Sequence, residues 1–234
     1  MVKSPSAREL EAIADAADER LEQASAEEIL SWAAETFGRR LCVTSSMADP
    51  VVLHLASRAL PGIDVVFLDT GYHFAETLVT RDLVADTYDV NVLNVVPEQT
   101  VAEQDATHGA RLHDRDPDLC CNLRKVRPLQ RALEGYDAWI TGLRRDESPS
   151  RAGTRIVAWD PRRGKVKISP IARWTEEQVE AYIAEHKLLF NPLLADGYAS
   201  IGCQPCTRRT LPGEDPRSGR WAGLLKTECG IHFS

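Results

Sequence analysis

The chain has 234 residues, 43% hydrophobic and 27% charged, an ordinary globular composition with enough apolar material for one domain and a full core. Its net charge of -7 argues against a general nucleic-acid binder. No apolar run approaches the length of a membrane span, and the acidic amphipathic start "MVKSPSARELEAIADAADERLEQ" does not read as a secretory leader, so the expected location is the cytoplasm, away from any membrane.

Residues 4 to about 37 read as one or two amphipathic helices, with Leu10, Ile13, Ala17 and Leu21 on one stripe and Ile29, Trp32 and Ala33 on the next. The pattern then changes to strands alternating with helices. "RLCVTSS" (40 to 46) is a short apolar strand, and "ADPVVLHLASRAL" (48 to 60) a helix with Asp49 placed as N-cap and Pro50 as its first residue. "IDVVFLDT" (63 to 70), "NVLNVV" (91 to 96) and "DAWITGL" (137 to 143) are further strands, separated by helices over 74 to 88 and over "NLRKVRPLQRALE". Near-continuous apolar strands between helices predict a doubly wound, mostly parallel α/β sheet with both faces covered. "RIVAWDPRRGKVKISPI" predicts two short strands around a turn at Pro161 to Gly164, and "TEEQVEAYIAEHK" opens with a Thr175 to Gln178 capping box. From Asn191 onward Gly, Pro and Arg dominate and periodicity is lost. An irregular region of that length needs something to hold it, and a metal centre is a physical candidate.

Six cysteines in a chain of this kind do not suggest a disulfide framework. Cys42 lies in an apolar run and reads as a small buried hydrophobe. The other five form three groups: the adjacent pair Cys120 and Cys121, the Cys203-Gln-Pro-Cys206 half-site, and Cys229 near the end. Four sulfur ligands suit zinc or an iron-sulfur cluster. Adjacent thiols fit the knuckles of a structural zinc site poorly, whereas a cubane offers separate irons to neighbouring thiolates, so adjacency favours the cluster.

In such a sheet, ligands bind where the strands end and helix N-termini present amides to anions. "VTSSMADP", "LDTGYHF" and "TGLRRDESPSR" are three polar loops at three strand ends, although neither GxGxxG nor GxxxxGK[ST] occurs. Basic residues gather late in the chain: Arg124, Lys125, Arg144, Arg145, Arg151, Arg208, Arg209, Arg217 and Arg220. Each singly reads as a solvated cation, but arginines grouped near strand ends and a metal centre predict recognition of a phosphate-like polyanion.

The combination "CCNLRK", "GLRRDESPSR", "CQPCTRR" and "KTECGIH" closely resembles the assimilatory, thioredoxin-dependent adenylyl-sulfate reductases of the PAPS/APS reductase family, from about Leu41 to the C-terminus. The resemblance implies an adenine nucleotide alpha-hydrolase-like fold and reduction of adenosine 5′-phosphosulfate (APS) to sulfite and AMP. It implies a [4Fe-4S] cluster on Cys120, Cys121, Cys203 and Cys206, with Lys125 between cluster and substrate. Ser45, Ser46 and Asp49 would belong to the nucleotide loop, Thr70 and Gly142 would contact the adenosine, and Arg144, Arg151, Arg217, Arg220 and His232 would surround the phosphosulfate. Cys229 would be the nucleophile, its S-sulfonate released by reduced thioredoxin. The expected division is 1–38 for covering helices, 39–212 for the nucleotide-binding domain and 213–234 for the segment carrying the catalytic cysteine; a homo-oligomer is compatible with the sequence. Competing readings are the same reaction on the 3′-phosphorylated nucleotide, an electron-transfer protein, and an ATP-using adenylyltransferase, whose Ser-Gly-Gly-x-Asp loop is missing here.

Overall fold

Two serine-capped helices lead into the sheet. α1 (Ala7–Leu21) and α2 (Ala26–Phe37) each open with a capping box, in which Ser6 or Ser25 accepts from the amide three residues on while Glu9 or Glu28 reaches back. The computed structural model describes residues 5–223, 226 and 228–232. The expected helix start at residue 4, and residues 224, 225, 227, 233 and 234 of the expected C-terminal segment, lie outside that range. Leu10, Ala14, Ala17 and Leu21 are buried, and α1 packs against the sheet edge that carries the last two strands.

The remaining elements are β1 (Leu41–Ser45), α3 (Val51–Ala59), β2 (Ile63–Leu68), α4 (Ala75–Thr87), β3 (Val90–Val95), α5 (Val101–His108), α6 (Leu112–Arg115), α7 (Pro117–Cys121), α8 (Arg127–Ala132), β4 (Ala138–Ile140), β5 (Val157–Asp160), β6 (Lys165–Ile168) and α9 (Glu176–His186). The strands form one sheet in the order β3-β2-β1-β4-β6-β5, parallel except for β5, which pairs with β6 across the predicted turn. The chain winds outward from β1 to β3, then returns to lay β4 on the other side of β1. That reversal leaves a crevice above the C-terminal ends of β1 and β4, where α/β sheets bind ligands. No helix of the described residues is long and apolar enough to cross a membrane.

Two helix expectations need correction. Pro50 is the cap residue of α3 and not its first residue, because its backbone (φ -99°, ψ 13°) is not helical. Asp49 caps from one residue further out, its Oδ1 accepting the Val51 amide at 3.1 Å. The helix expected over residues 122 to 134 is broken into a π segment (Asn122–Val126), α8 and a 3-10 turn (Leu133–Gly135). Pro128 supplies no N–H to the Arg124 carbonyl four residues earlier, and the wider π turn absorbs that mismatch. Helices α5 to α7 stand where no element was assigned, although Thr100 with Glu103, and Asp116 before Pro117, are cap signals.

Past Asn191 the described chain holds only 3-10 turns and an isolated bridge between Thr207 and Arg220. Asn191 anchors its start: its amide nitrogen donates to the Met47 carbonyl at 3.2 Å and to Thr77 Oγ1 at 3.1 Å, and its Oδ1 accepts from Leu193. Two glycines let the segment fold on itself, since a Cβ at Gly202 would collide with the Arg220 guanidinium and one at Gly219 with the Arg208 carbonyl.

Trp139 of β4 is fully buried, with Cys42 of β1 and Lys167 of β6 in register on either side. Cys42 is the buried hydrophobe expected of it, and burial pushes its thiol up. Lys167 places its ammonium 5.3 Å from the Trp139 ring. Burial pulls it down to about 8, with Asp160 opposing and Arg163 adding to the shift.

Asn191→Ala is expected to lower stability by roughly 1–3 kcal/mol in denaturant titrations, because the Met47 carbonyl and Thr77 hydroxyl lose a buried partner. Lys167 lies below its ordinary 10.5, so the unfolded chain binds more protons between about pH 8 and 10.5 and this residue's contribution to stability rises with pH through that window. Lys167→Met is therefore expected to stabilise at pH 7 by on the order of 3 kcal/mol, the difference from the unsubstituted protein closing as pH climbs to 10.5.

Candidate active site

A cleft of about 1070 Å³ opens over the ends of β1, β2 and β4. Ser45, Ser46 and Asp49 line it from the first loop, Thr70 from the second, and Gly142, Arg144 and Arg151 from the third. Lys125 enters from the π segment, and Arg217, Arg220, Cys229 and His232 from the C-terminal segment. The residues expected to bind substrate thus share one cavity with the expected nucleophile.

Their local partners differ. Ser45 Oγ accepts the Met47 amide at 3.0 Å and closes a tight turn in which Met47 takes φ 58°, whereas Ser46 is exposed to the cleft mouth. Burial pushes the Asp49 carboxyl up, with Glu147 and Glu176 adding to the shift and the Val51 amide and Arg144 opposing it. Thr70 is a buried junction: its hydroxyl lies 3.3 Å from Cys203 Sγ and accepts the Tyr72 amide at 3.2 Å, while its carbonyl accepts from Arg124.

The nine late basic residues separate into two sets. Arg124 points away from the cleft, donating to Thr70 and to Gln104 Oε1 at 3.0 Å, so it ties the second loop to α5. Arg145 forms a fork on Glu22 at 2.6 and 2.8 Å, Arg208 pairs with Glu214, and Arg209 lies over Tyr198. The cleft-lining set is Lys125, Arg144, Arg151, Arg217 and Arg220. Arg144 pairs with Glu176 and Asp146; Arg151 with Glu147 at 2.6 Å and with Glu228 at 2.9 Å; Arg217 with Glu228 at 2.9 Å. Arg220 sits 4.6 Å over the Trp221 ring and donates to the Ile201 carbonyl at 3.2 Å.

The cysteines expected to be ligands come together from two segments. Cys120 and Cys121 end α7, while Cys203 caps and Cys206 ends a 3-10 turn; Cys206 is half-buried and the other three are buried. Burial pushes Cys120 up to about 11, with Cys203 and Cys206 adding to the shift, and burial with Cys203 pushes Cys206 up to about 11. None forms a disulfide. Lys125 lies among them: enclosure pulls its pKa down, but Cys203, Cys229 and Cys121 outweigh that and hold the ammonium above its ordinary value. Crowded thiols, free of disulfides and facing one cation, are a donor set that metal binding would relieve by stabilising the thiolates. Among the described residues no three His, Cys, Asp or Glu side chains converge as a single-ion site would.

Cys229 is 7% exposed, packed with Cys121 and Trp221 and flanked by Cys206. The terminal cysteine that an aperiodic tail would leave open to solvent is therefore enclosed. Its thiol is held well below the ordinary range by a hydrogen bond from Cys121, then by Lys125, the Ile231 amide and Arg220, against the effect of burial. His232 stacks on Trp139, rings 6.3 Å apart and 12° from parallel, and its amide donates to the Cys229 carbonyl at 3.1 Å. Burial, then Lys167, Arg151, Arg217 and Arg163, keep its imidazole neutral at physiological pH.

Sequence reasoning missed the acidic partners. Glu147, Glu176 and Glu228 line the cleft beside the arginines, and His73 lines it from the second loop with Nε2 2.9 Å from the Leu68 carbonyl. Glu228 stands inside the quoted "KTECGIH", but a search for cations that bind an anion gives no reason to select a carboxylate. Trp221, 2% exposed beneath Arg220 and Lys226, had one signal, a large aromatic in an otherwise aperiodic stretch.

Residues 40–209 match the model of the phosphoadenosine phosphosulfate reductase domain. The chain is 68% identical to the adenosine 5′-phosphosulfate reductase of Streptomyces coelicolor, over 96% of its own length and 95% of that protein. It is 54% identical to the protein of the same name from Mycolicibacterium smegmatis, covering 100% of this chain and 99% of the other. Among solved structures it resembles the phosphoadenylyl-sulfate reductase of Candida auris, determined as a phosphate complex, with a TM-score of 0.73, 30% identity, and 88% and 99% of the two chains covered. Strand order, cleft and sequence converge: the chain belongs to the phosphoadenosine phosphosulfate reductase family, on the branch of the adenosine 5′-phosphosulfate reductases.

Proposed function

We propose that this chain reduces adenosine 5′-phosphosulfate to sulfite and AMP, as a step of sulfate assimilation in the cytoplasm, with reduced thioredoxin as electron donor. The observation that carries the reading is the enclosure of Cys229 beside Lys125 and Arg220, at the edge of a cleft large enough for a nucleotide. Relatives at 68% and 54% identity are named for the 5′-phosphosulfate, whereas the 3′-phosphorylated compound names a structure only 30% identical, so the nucleotide without the 3′-phosphate is favoured.

Ser45, Ser46, Asp49, Thr70 and Gly142 hold the nucleoside end at the strand termini, and Arg144, Arg151, Arg217, Arg220 and His232 surround the anionic end. The Cys229 thiolate attacks the terminal sulfur of the phosphosulfate. A sulfur-sulfur bond forms, the bond from sulfur to the bridging oxygen breaks, and AMP departs with that electron pair. Lys125 and Arg220 offset the repulsion between thiolate and substrate and stabilise charge gathering on the leaving phosphate. One thioredoxin thiolate then attacks Cys229 Sγ and sulfite leaves with the sulfur-sulfur electron pair. The second thioredoxin thiol resolves the mixed disulfide, so thioredoxin is oxidised by two electrons and Cys229 is restored. Cys120, Cys121, Cys203 and Cys206 would hold the [4Fe-4S] cluster, which when bound supplies a fixed local charge and ties α7 to the C-terminal segment.

In the cluster-loaded enzyme, Cys229→Ser is expected to abolish both sulfite formation and the labelled S-sulfonate while keeping the cluster's visible absorption; continued turnover would refute the mechanism. The reading also requires a higher kcat/KM for adenosine 5′-phosphosulfate than for its 3′-phosphorylated form, and the reverse order would overturn the substrate assignment. Gly202→Ala displaces the Arg220 guanidinium and is expected to raise KM by about tenfold, the loss of one charge-assisted contact, with iron content unchanged.

A further inference from the structure

Glu228 carries more contacts than a residue that merely precedes the nucleophile requires. Its Oε2 accepts Arg151 Nε at 2.9 Å and its Oε1 accepts Arg151 Nη2 at 3.0 Å, a bidentate fork. Oε1 also accepts Arg217 Nη2 at 2.9 Å and the backbone amide of Cys229 at 2.9 Å. The residue is 5% exposed, and its carboxylate is thus a walled-in anion on two arginines of the cleft.

The remaining edge of Arg151 is occupied as well, since Nη1 donates to Glu147 Oε2 at 2.6 Å. Two guanidinium charges therefore face two carboxylate charges. A phosphosulfate oxygen can take the bidentate edge of Arg151 only when Glu228 leaves it, and a substrate entering without that exchange would bring its negative charge against the enclosed Glu228 carboxylate.

We propose that Glu228 is a positioning residue that occupies the Arg151 and Arg217 anion site in the substrate-free protein, and that the anionic end of the substrate displaces it. This rests on the proposed function for the identity of the anion, but the contact itself belongs to the free protein. Because Glu228 and Cys229 are consecutive, the exchange couples anion binding to the seating of the thiol: release of the carboxylate also frees the Cys229 amide, so the thiol can shift toward the sulfur once the substrate is bound. The protein thereby keeps its thiolate enclosed until there is something to attack.

The test is alkylation of Cys229 by iodoacetamide in cluster-loaded, nucleotide-free enzyme, followed by peptide mass spectrometry. It is read at the plateau of its pH profile, so that access and not ionisation is measured. Glu228→Gln is expected to be labelled about tenfold faster than the unsubstituted protein, as loss of a charge-assisted clasp requires, and to show a lower KM for the nucleotide substrate. Inorganic pyrophosphate, as an anion probe, is expected to speed labelling of the unsubstituted protein and to leave Glu228→Gln unchanged. Equal labelling of the two proteins, a raised KM in the variant, or no response of the unsubstituted protein to pyrophosphate would overturn the proposal. Failure of the unsubstituted enzyme to form sulfite would instead refute the functional reading and leave the labelling comparison standing.

Discussion

Everything in this site depends on how a segment whose described residues form only 3-10 turns and one isolated bridge is held across the ends of the sheet. Beyond Asn191 the described backbone pairs mostly within the segment, apart from the Gln204 amide, which donates to the Tyr72 carbonyl at 2.7 Å, so the position of Cys229 rests largely on side-chain anchors. Asn191 ties the start of the segment to the first strand loop and to α4. Trp221 packs its middle against Cys121, and the Glu228 fork on Arg151 fastens its end. Each anchor joins the segment to a different part of the α/β core, and a nucleophile displaced by even an ångström loses much of its reactivity.

Charge is organised against the overall balance. The chain is acidic, yet its cleft gathers four arginines and two lysines; Arg144, Arg151 and Arg217 pair with carboxylates, and Lys125 faces thiols. Such pairing keeps enclosed cations tolerable, and it leaves them able to exchange partners, since an arginine fork donates to a carboxylate or a phosphate with similar geometry. Lys125 faces Cys120, Cys121, Cys203 and Cys206 and also Cys229, a placement that comes from the π segment turning it off the regular helix spacing. Beneath them, Trp139 forms the floor on which His232 stacks, so the imidazole is held by an aromatic face and kept neutral by burial and by the cations around it.

Much of the frame was readable from local chemistry. Apolar runs of strand length between amphipathic helices marked the sheet, and the Thr175 box and the turn after Asp160 marked α9 and the hairpin. The cysteine pair, the half-site and the terminal Cys229 were visible as spacing alone. Less legible were effects created by one residue on a distant part of the backbone: the break at Pro128, the cap of α3 shifted by one position, and the three short helices before Cys121, whose cap signals were present without strong periodicity. The nine late basic residues show the limit most directly. Arg144 and Arg145 are adjacent, yet one lines the cleft and the other pairs with Glu22 on the opposite side of its loop.

The sequence by itself determined the layer architecture, the loops that meet at the strand ends and the identity of the thiols, because periodicity, caps and residue type are local properties. Only the tertiary structure decided which arginines face the cleft, that Cys229 is enclosed, and that Glu228 pairs with Arg151 and Arg217, because these follow from pairings between residues far apart in the chain. Glu228 and Arg151 illustrate the reason: their contact spans the whole C-terminal third, and the favourable energy of a buried fork exists only once both sides have been brought together by packing elsewhere.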